Sequence, residues 1–199
     1  MQVKGLEMPG YEPRSLKTMA LGLAVSTRGA CHNRSSAYEA DFSSSVDRLT
    51  ADEQRGRITK EGEDFSAVLD SLIWCKFLRK AFDDFYDESA AIYELVTGWT
   101  MTPDQLKQAG ERINNLKKLF NVREGWVQQD DTLPPRVLHE KLPTGVARGV
   151  GLTREDLDMM IGGYYRVRGW TEHGQVPDSK IRELGLAKVI AQPITAGQL

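Results

Sequence analysis

The sequence has little cysteine: two residues in 199, Cys31 and Cys75. That excludes a disulfide framework, since disulfide-stapled domains carry several cysteine pairs at close spacing. It has no run of about 18 apolar residues, the length a helix needs to cross a bilayer, so no membrane span is expected. The opening MQVKGLEMPG lacks an apolar stretch, so no secretory leader is expected either. Charge of one sign is also missing: 26 Lys and Arg against 28 Asp and Glu leave a net charge of -2. With no basic excess to release counterions from a phosphate backbone, nucleic acid is not an expected partner. Only three histidines are present, and His139 and His173 stand at no zinc-ligand spacing. No Gly-rich phosphate loop of either standard kind occurs. Reduced thiols in the cytoplasm are the expectation.

What is present suits one ordinary domain or two small ones, with 40% apolar and 27% charged residues. Residues 1–14 hold two Pro and two Gly. They read as an extended lead-in, more like the middle of a longer chain than a beginning. From Ser15 the spacing of Leu16, Met19, Ala20 and Leu23 predicts a packed helix ending near Thr27, with Gly29 as its stop. Residues 29–36 read as a polar turn, and 50–54 as a short helix. A helix over 60–69 presents Phe65, Val68 and Leu69. Its continuation, 70–82, is apolar on nearly all sides, which predicts burial with a bend. A helix over 87–96 should turn Ile92, Leu95 and Val96 inward. Thr102, Pro103 and Gln105 form a strong start signal for a helix carrying Leu106, Ala109, Ile113, Leu116, Leu119 and Phe120 as far as Gly125. Residues 127–151 form a long irregular connection of the kind that covers a site or another domain. Thr153 caps a helix over 157–167 with Met160, Ile161 and Tyr164 on one face. Asp178 opens a last short helix ending at Gly185, and the tail IAQPITAGQL should fray. With no alternating strand pattern of any length, the expected class is all-α, an irregular multi-helix architecture.

A few residues could carry chemistry. Cys75 lies among Trp74 and Phe77, five residues after Asp70. It reads either as a buried structural thiol or as a thiolate ligand. One thiolate cannot hold a four-iron cluster, so in the second case the other ligands lie outside this chain. Cys31 and His32 are adjacent, which rarely lets two side chains meet, so a Cys–His nucleophile is disfavoured. His32 alone reads as a hydrogen-bonded turn residue or as a proton donor at an active-site rim. The pairs Asp83–Asp84 and Asp130–Asp131 read as solvated caps.

Three segments together resemble the C-terminal part of the tungsten-containing aldehyde:ferredoxin oxidoreductase family. VKGLEMPGYEPRSLKTMALGLAVSTRGACH, residues 3–32, is similar to a family stretch running from K-G-L-E-x-P-x-Y-x-P-R through a helix to R-G-A-C-H. DFSAVLDSLIWCKF, residues 64–77, resembles the second pterin motif, D-x-x-G-L-C. LKKLFNVREGW, DDTLPPR and YYRVRGWTEHGQV follow in the family's order. The match runs to about Leu186.

The resemblance implies a tungsten bis-pterin centre of the molybdopterin type beside a 4Fe-4S cluster, and oxidation of aldehydes to carboxylic acids with electrons leaving to a ferredoxin-like acceptor. It gives Asp70 and Trp74 a place against the pterin. It makes Cys75 the fourth cluster ligand and His32 a residue that donates or holds a proton near the metal. The family's N-terminal pterin-binding domain, with three clustered cysteines and a first pterin motif, is absent from residues 1–199. The N-terminal half of the enzyme is therefore the implied partner. Gly-Leu of the motif is Ile73-Trp74 here, which adds bulk where glycine would let the backbone approach a cofactor. Two other readings stand beside this one. One is a non-catalytic remnant or accessory helical protein, and the other a related tungstoenzyme part acting on aromatic thioesters.

Overall fold

One helix, α1 (Lys17–Val25), is buried along its whole length, and the rest of the chain is arranged around it. No side chain at Leu16 caps its start. The carboxylate of Asp41 does so from a distance, accepting from the N–H of Thr18 at 3.2 Å and of Met19 at 2.9 Å. At the other end the amine of Lys4 donates to the carbonyls of Ala24 and Ser26. A negative group at the N-terminus and a positive one at the C-terminus both match the helix dipole. The cost of burying backbone ends is thus met by two residues remote in sequence.

The computed structural model describes residues 1–190. The expected frayed tail lies, beyond Ile190, outside the described residues. Among those described there are ten α-helices and one two-stranded antiparallel pair, β1 (Gln2–Val3) and β2 (Leu6–Glu7), with Val3 opposite Leu6. None of the described helices is long and apolar enough to cross a membrane. The all-α expectation holds, with the extended lead-in folded into that small hairpin.

After α1 come two single-turn helices, α2 (His32–Ser35), within the stretch expected to be a polar turn, and α3 (Tyr38–Asp41) just beyond it. The short helix expected over 50–54 does not form, and the helix expected over 60–69 starts earlier, as α4 (Gln54–Ser71). It is followed by α5 (Phe85–Thr97) and α6 (Pro103–Arg123). The side chain of Asp84 caps α5, as its polar-turn reading required, and α6 carries the full Thr102–Gln105 capping box. The long connection contains α7 (Pro135–His139) and buries Leu133 and Val137. Then come α8 (Arg154–Arg168), opened by a second capping box at Thr153 and closed by left-handed Gly169, α9 (Asp178–Glu183) and α10 (Ala187–Ile190).

Two apolar cores result. The larger joins α1, Leu133, Val137, Leu152, Trp170 and the Leu157, Met160, Ile161 and Tyr164 face of α8. The smaller joins Val68 and Leu69 of α4 to Phe85, Ala90 and Leu106. α4 crosses α8 so closely that a Cβ on Gly56 would run into the backbone of Tyr164, so only glycine fits there.

Polar residues lock the crossing. Arg168 is fully buried. Its guanidinium reaches Asp64 and Glu63, each at 2.6 Å, and donates to the Tyr164 hydroxyl oxygen at 3.0 Å. Burial would push the Asp64 carboxyl up, but Arg168 and Lys60 together hold it below its ordinary range. Asn114 of α6 donates to the same carboxylate at 2.8 Å. A second buried pair, Lys118 and Asp131, lies under Trp126, with Tyr165 donating to Asp131 at 2.6 Å. Burial depresses the Lys118 pKa to about 8, against the opposing pull of Asp131.

Several expectations are corrected. Asp131 is buried rather than a solvated cap, because Lys4, Lys118, Tyr165 and Trp126 all point at it. Leu95 and Val96 face solvent rather than inward, and Trp99 beyond them is 70% exposed. On α6 the buried face is Leu106, Gly110, Asn114, Asn115 and Lys118, whereas Leu116 and Phe120 look outward. Here polar pairing with α4 and the Trp126–Trp170 region outweighs apolar spacing. Residues 70–82 bend as expected, but most of the segment is not buried: Ile73 is 91% and Phe77 87% exposed.

Removing one member of a buried charge network leaves the others unpaired, at a cost of about 3–5 kcal/mol. Arg168→Met is therefore expected to destabilise the fold by about that much, measured by urea unfolding. A change under about 1 kcal/mol would show that Glu63 and Asp64 are not held by Arg168.

Candidate functional site

α4 ends at Ser71 in a turn with two defining hydrogen bonds. The N–H of Trp74 donates to Leu69 O at 3.0 Å, and that of Ile73 to Asp70 O at 3.2 Å. This is a Schellman cap, which needs a left-handed residue just past the helix. That residue is Ile73, with φ +61°. Glycine stands at this position in the D-x-x-G-L-C pattern. The backbone here keeps the glycine-type conformation and carries a β-branched side chain on it, at roughly 1–2 kcal/mol.

The turn aims its residues in two directions. Trp74 packs inward against Phe82, ring centroids 5.4 Å apart, beside the smaller core. Its indole N–H is buried without a partner. Cys75 points to solvent as a free thiol, which corrects the reading of it as a buried structural cysteine. Asp70, on the last turn of α4, is paired on both oxygens: with Arg34 at 2.8 Å and with Lys76 at 3.4 Å.

The structure brings the His32 segment to the same face. α2 lies across the end of α4, and Lys76 donates to Asn33 O at 2.8 Å while also reaching Asp70. Gly62 on α4 makes room, since a Cβ there would strike the Ser35 carbonyl. His32 itself sits in an aromatic group, with centroids 5.5 Å from Tyr11 and 5.8 Å from Tyr38. Burial and, after it, the charge of Lys76 lower its pKa from 6.5, so the ring is neutral near pH 7. Cys31 is half-buried beside it. His139 and His173 have no part in this face. His173 pairs with Gln128 and Glu172 far along the chain.

Sequence reading missed Arg34 and Lys76. Their signal was adjacency: one stands two residues after His32, the other one residue after Cys75. Among the described residues no group of three or more His, Cys, Asp or Glu is placed to hold a metal ion.

Residues 1–186 match the family model described as aldehyde ferredoxin oxidoreductase, domains 2 & 3. The chain belongs to the aldehyde ferredoxin oxidoreductase family. It is 33% identical over 194 residues to the tungsten-containing aldehyde ferredoxin oxidoreductase of Pyrococcus furiosus, covering 94% of this chain and 31% of that protein. The corresponding protein of Thermococcus kodakarensis is 32% identical over 196 residues, covering 96% of this chain and 31% of its own length. The chain thus spans about a third of the curated relatives it matches. Among solved structures, the BamBC active-site complex of benzoyl coenzyme A reductase superposes with a TM-score of 0.56 at 20% identity. That match covers 69% of this chain and 20% of the other, and shows likeness of fold.

Two outcomes are expected here. Ile73→Gly should relieve the left-handed strain and raise stability by about 1 kcal/mol, read by chemical denaturation. A loss would mean that the turn does not hold this conformation. His32 should titrate below 6.5 when followed by its imidazole proton resonances. The unfolded chain then takes up this proton first, so His32 stability is complete above 6.5 and declines as pH falls toward the folded value. A midpoint above 6.5 would reverse that sign and contradict the burial.

Proposed function

We propose that this chain forms the C-terminal part of a tungstopterin and iron–sulfur oxidoreductase that oxidises aldehydes to carboxylic acids and works together with a separate N-terminal half. The observation that carries this reading is the convergence of two distant segments. Arg34, two residues after His32, pairs with Asp70, and Lys76, next to exposed Cys75, donates to Asn33, in a chain a third the length of its relatives. When bound, a tungstopterin would supply two-electron redox chemistry and a 4Fe-4S cluster one-electron chemistry toward a ferredoxin-like acceptor.

The chain's own residues would act as follows. Cys75, exposed at the end of the turn, gives the fourth thiolate of the cluster. Asp70 accepts N–H groups of a pterin, a task its carboxylate suits, while Arg34 and Lys76 fix its orientation. His32, neutral near pH 7, is suited to accept a proton from the water that adds to an aldehyde, more than to donate one. Trp74 backs the motif from within the fold.

The exposed apolar residues support a missing companion. Ile73, Phe77, Leu95 and Trp99 are each at least 70% exposed, and exposed apolar surface on this scale marks interaction faces. A second reading, a helical remnant or accessory protein without cofactor, is favoured by Ile73 alone, whose side chain stands where glycine would leave the backbone bare.

The test uses the chain co-produced with a polypeptide carrying the three clustered cysteines and the first pterin motif. The reduced complex is examined by electron paramagnetic resonance. Cys75→Ser is expected to abolish or cripple the iron–sulfur signal, since a hydroxyl replaces thiolate poorly, and Cys31→Ser to leave it largely intact. Equal loss in both would mean the ligand is misassigned, and no loss in either would favour the remnant. The chain produced alone is expected to retain neither tungsten nor iron in stoichiometric amount.

A further inference from the structure

A cleft of about 450 Å³ opens where the turn after α1 and the short α2 face the outer side of α6. Its walls differ in chemistry. Arg28, Arg34 and Lys117 form a cationic side, and Leu116 and Phe120 an apolar one. Asn121 closes the floor by donating to Thr27 O at 2.8 Å. No carboxylate lines the cleft. Of the acids nearby, Asp70 pairs with Arg34 of the cleft wall and with Lys76, and Glu63 is committed to Arg168 and Tyr164. Arg123 adds a further cation above the Phe120 ring, 4.8 Å from its centroid, and Glu124 pairs with it.

Arg34 is paired with Asp70, whereas Arg28 and Lys117 form no ion pair among the described residues, so two of the three cations are open to an anion. Burial and, after it, the charge of Arg34 lower the Lys117 pKa, against the opposing pull of Glu63 and Asp70. The same side chains leave Phe120 half-exposed on a helix whose other face is packed. An apolar surface beside cations in a concave site is the form of pockets that take small organic ligands.

We infer that this cleft binds an organic anion with a flat apolar body, a phosphate or carboxylate ester or acid. Its charged group would lie among Arg28, Arg34 and Lys117, and its body against Leu116 and Phe120. Two cation types suit this: guanidinium for two-pronged contacts and ammonium as a point charge. The inference goes beyond the proposed oxidoreductase role and requires neither metal nor a second polypeptide.

The test uses the full 199-residue chain, with amide resonances followed by NMR during titration with phenyl phosphate. Inorganic phosphate and phenol serve as half-ligand probes. Saturable shifts centred on Lys117, Phe120 and Arg28 are expected with phenyl phosphate. Each half-probe should bind at least about tenfold more weakly, the loss of roughly one good interaction. Arg28→Gln, at an exposed position that leaves the fold intact, should weaken phenyl phosphate about tenfold. Phe120→Ala should weaken it several-fold without changing the inorganic phosphate titration. No saturable shift at millimolar phenyl phosphate would overturn the inference. So would shifts centred away from the cleft, or an affinity unchanged by Arg28→Gln. Equal binding of inorganic phosphate and phenyl phosphate would also overturn it, because the apolar wall would then contribute nothing. These outcomes are independent of iron or tungsten loading, so failure here leaves the oxidoreductase reading to its own test.

Discussion

The guanidinium of Arg168 holds the molecule in register. It is wholly buried at the end of α8, yet it meets two carboxylates of α4 and the hydroxyl of Tyr164. Through Asp64 it is also tied to Asn114 on α6. Such a cluster contributes little net stability compared with apolar packing, because each charge must be desolvated. Its effect is on specificity. Any sliding of α4 against α8 or α6 would strand a charge in the interior, so the three helices have one permitted arrangement.

The candidate site depends on that arrangement from one helix end to the other. α4 is pinned near its middle by Glu63 and Asp64, and the motif from Asp70 to Cys75 leaves from its last turn. α2 is seated across α4 by the gap at Gly62, which carries His32 and Arg34 to the same place. A rigid helix therefore delivers Asp70, and a strained cap delivers Cys75. Both serve a face whose apolar residues remain open. Asp70 is paired within the chain by Arg34 and Lys76, while Ile73 and Phe77 beside it remain exposed.

Much of the fold was legible in the residues. The capping boxes at Thr102 and Thr153, and the apolar spacing of Met19, Ala20 and Leu23, depend only on neighbours within a turn or two, and these helices lie where the pattern put them. Spacing failed where long-range polar contacts competed. Asn115 is buried by its bond to Trp170, and Lys118 by Asp131 and Trp126. Leu116 and Phe120 therefore turned outward, while Leu106 stayed in the core. Leu95 and Val96 looked like core residues because an apolar residue on a helix ordinarily has something to pack against, and here both face solvent.

By itself the sequence determined the helical class, most of the helix starts and the family resemblance. These rest on local hydrogen bonding, periodicity and residue chemistry, all of which travel with the chain. Only tertiary structure decided that Asp41 and Lys4 close the ends of α1, and that Arg34 and Lys76 clasp Asp70. It also decided that Trp74 turns in while Cys75 turns out, and that Ile73 keeps a conformation made for glycine. Those outcomes follow from where helices cross, and the crossing is set by burial of charges whose partners lie as many as 105 residues apart, a separation that no local pattern encodes.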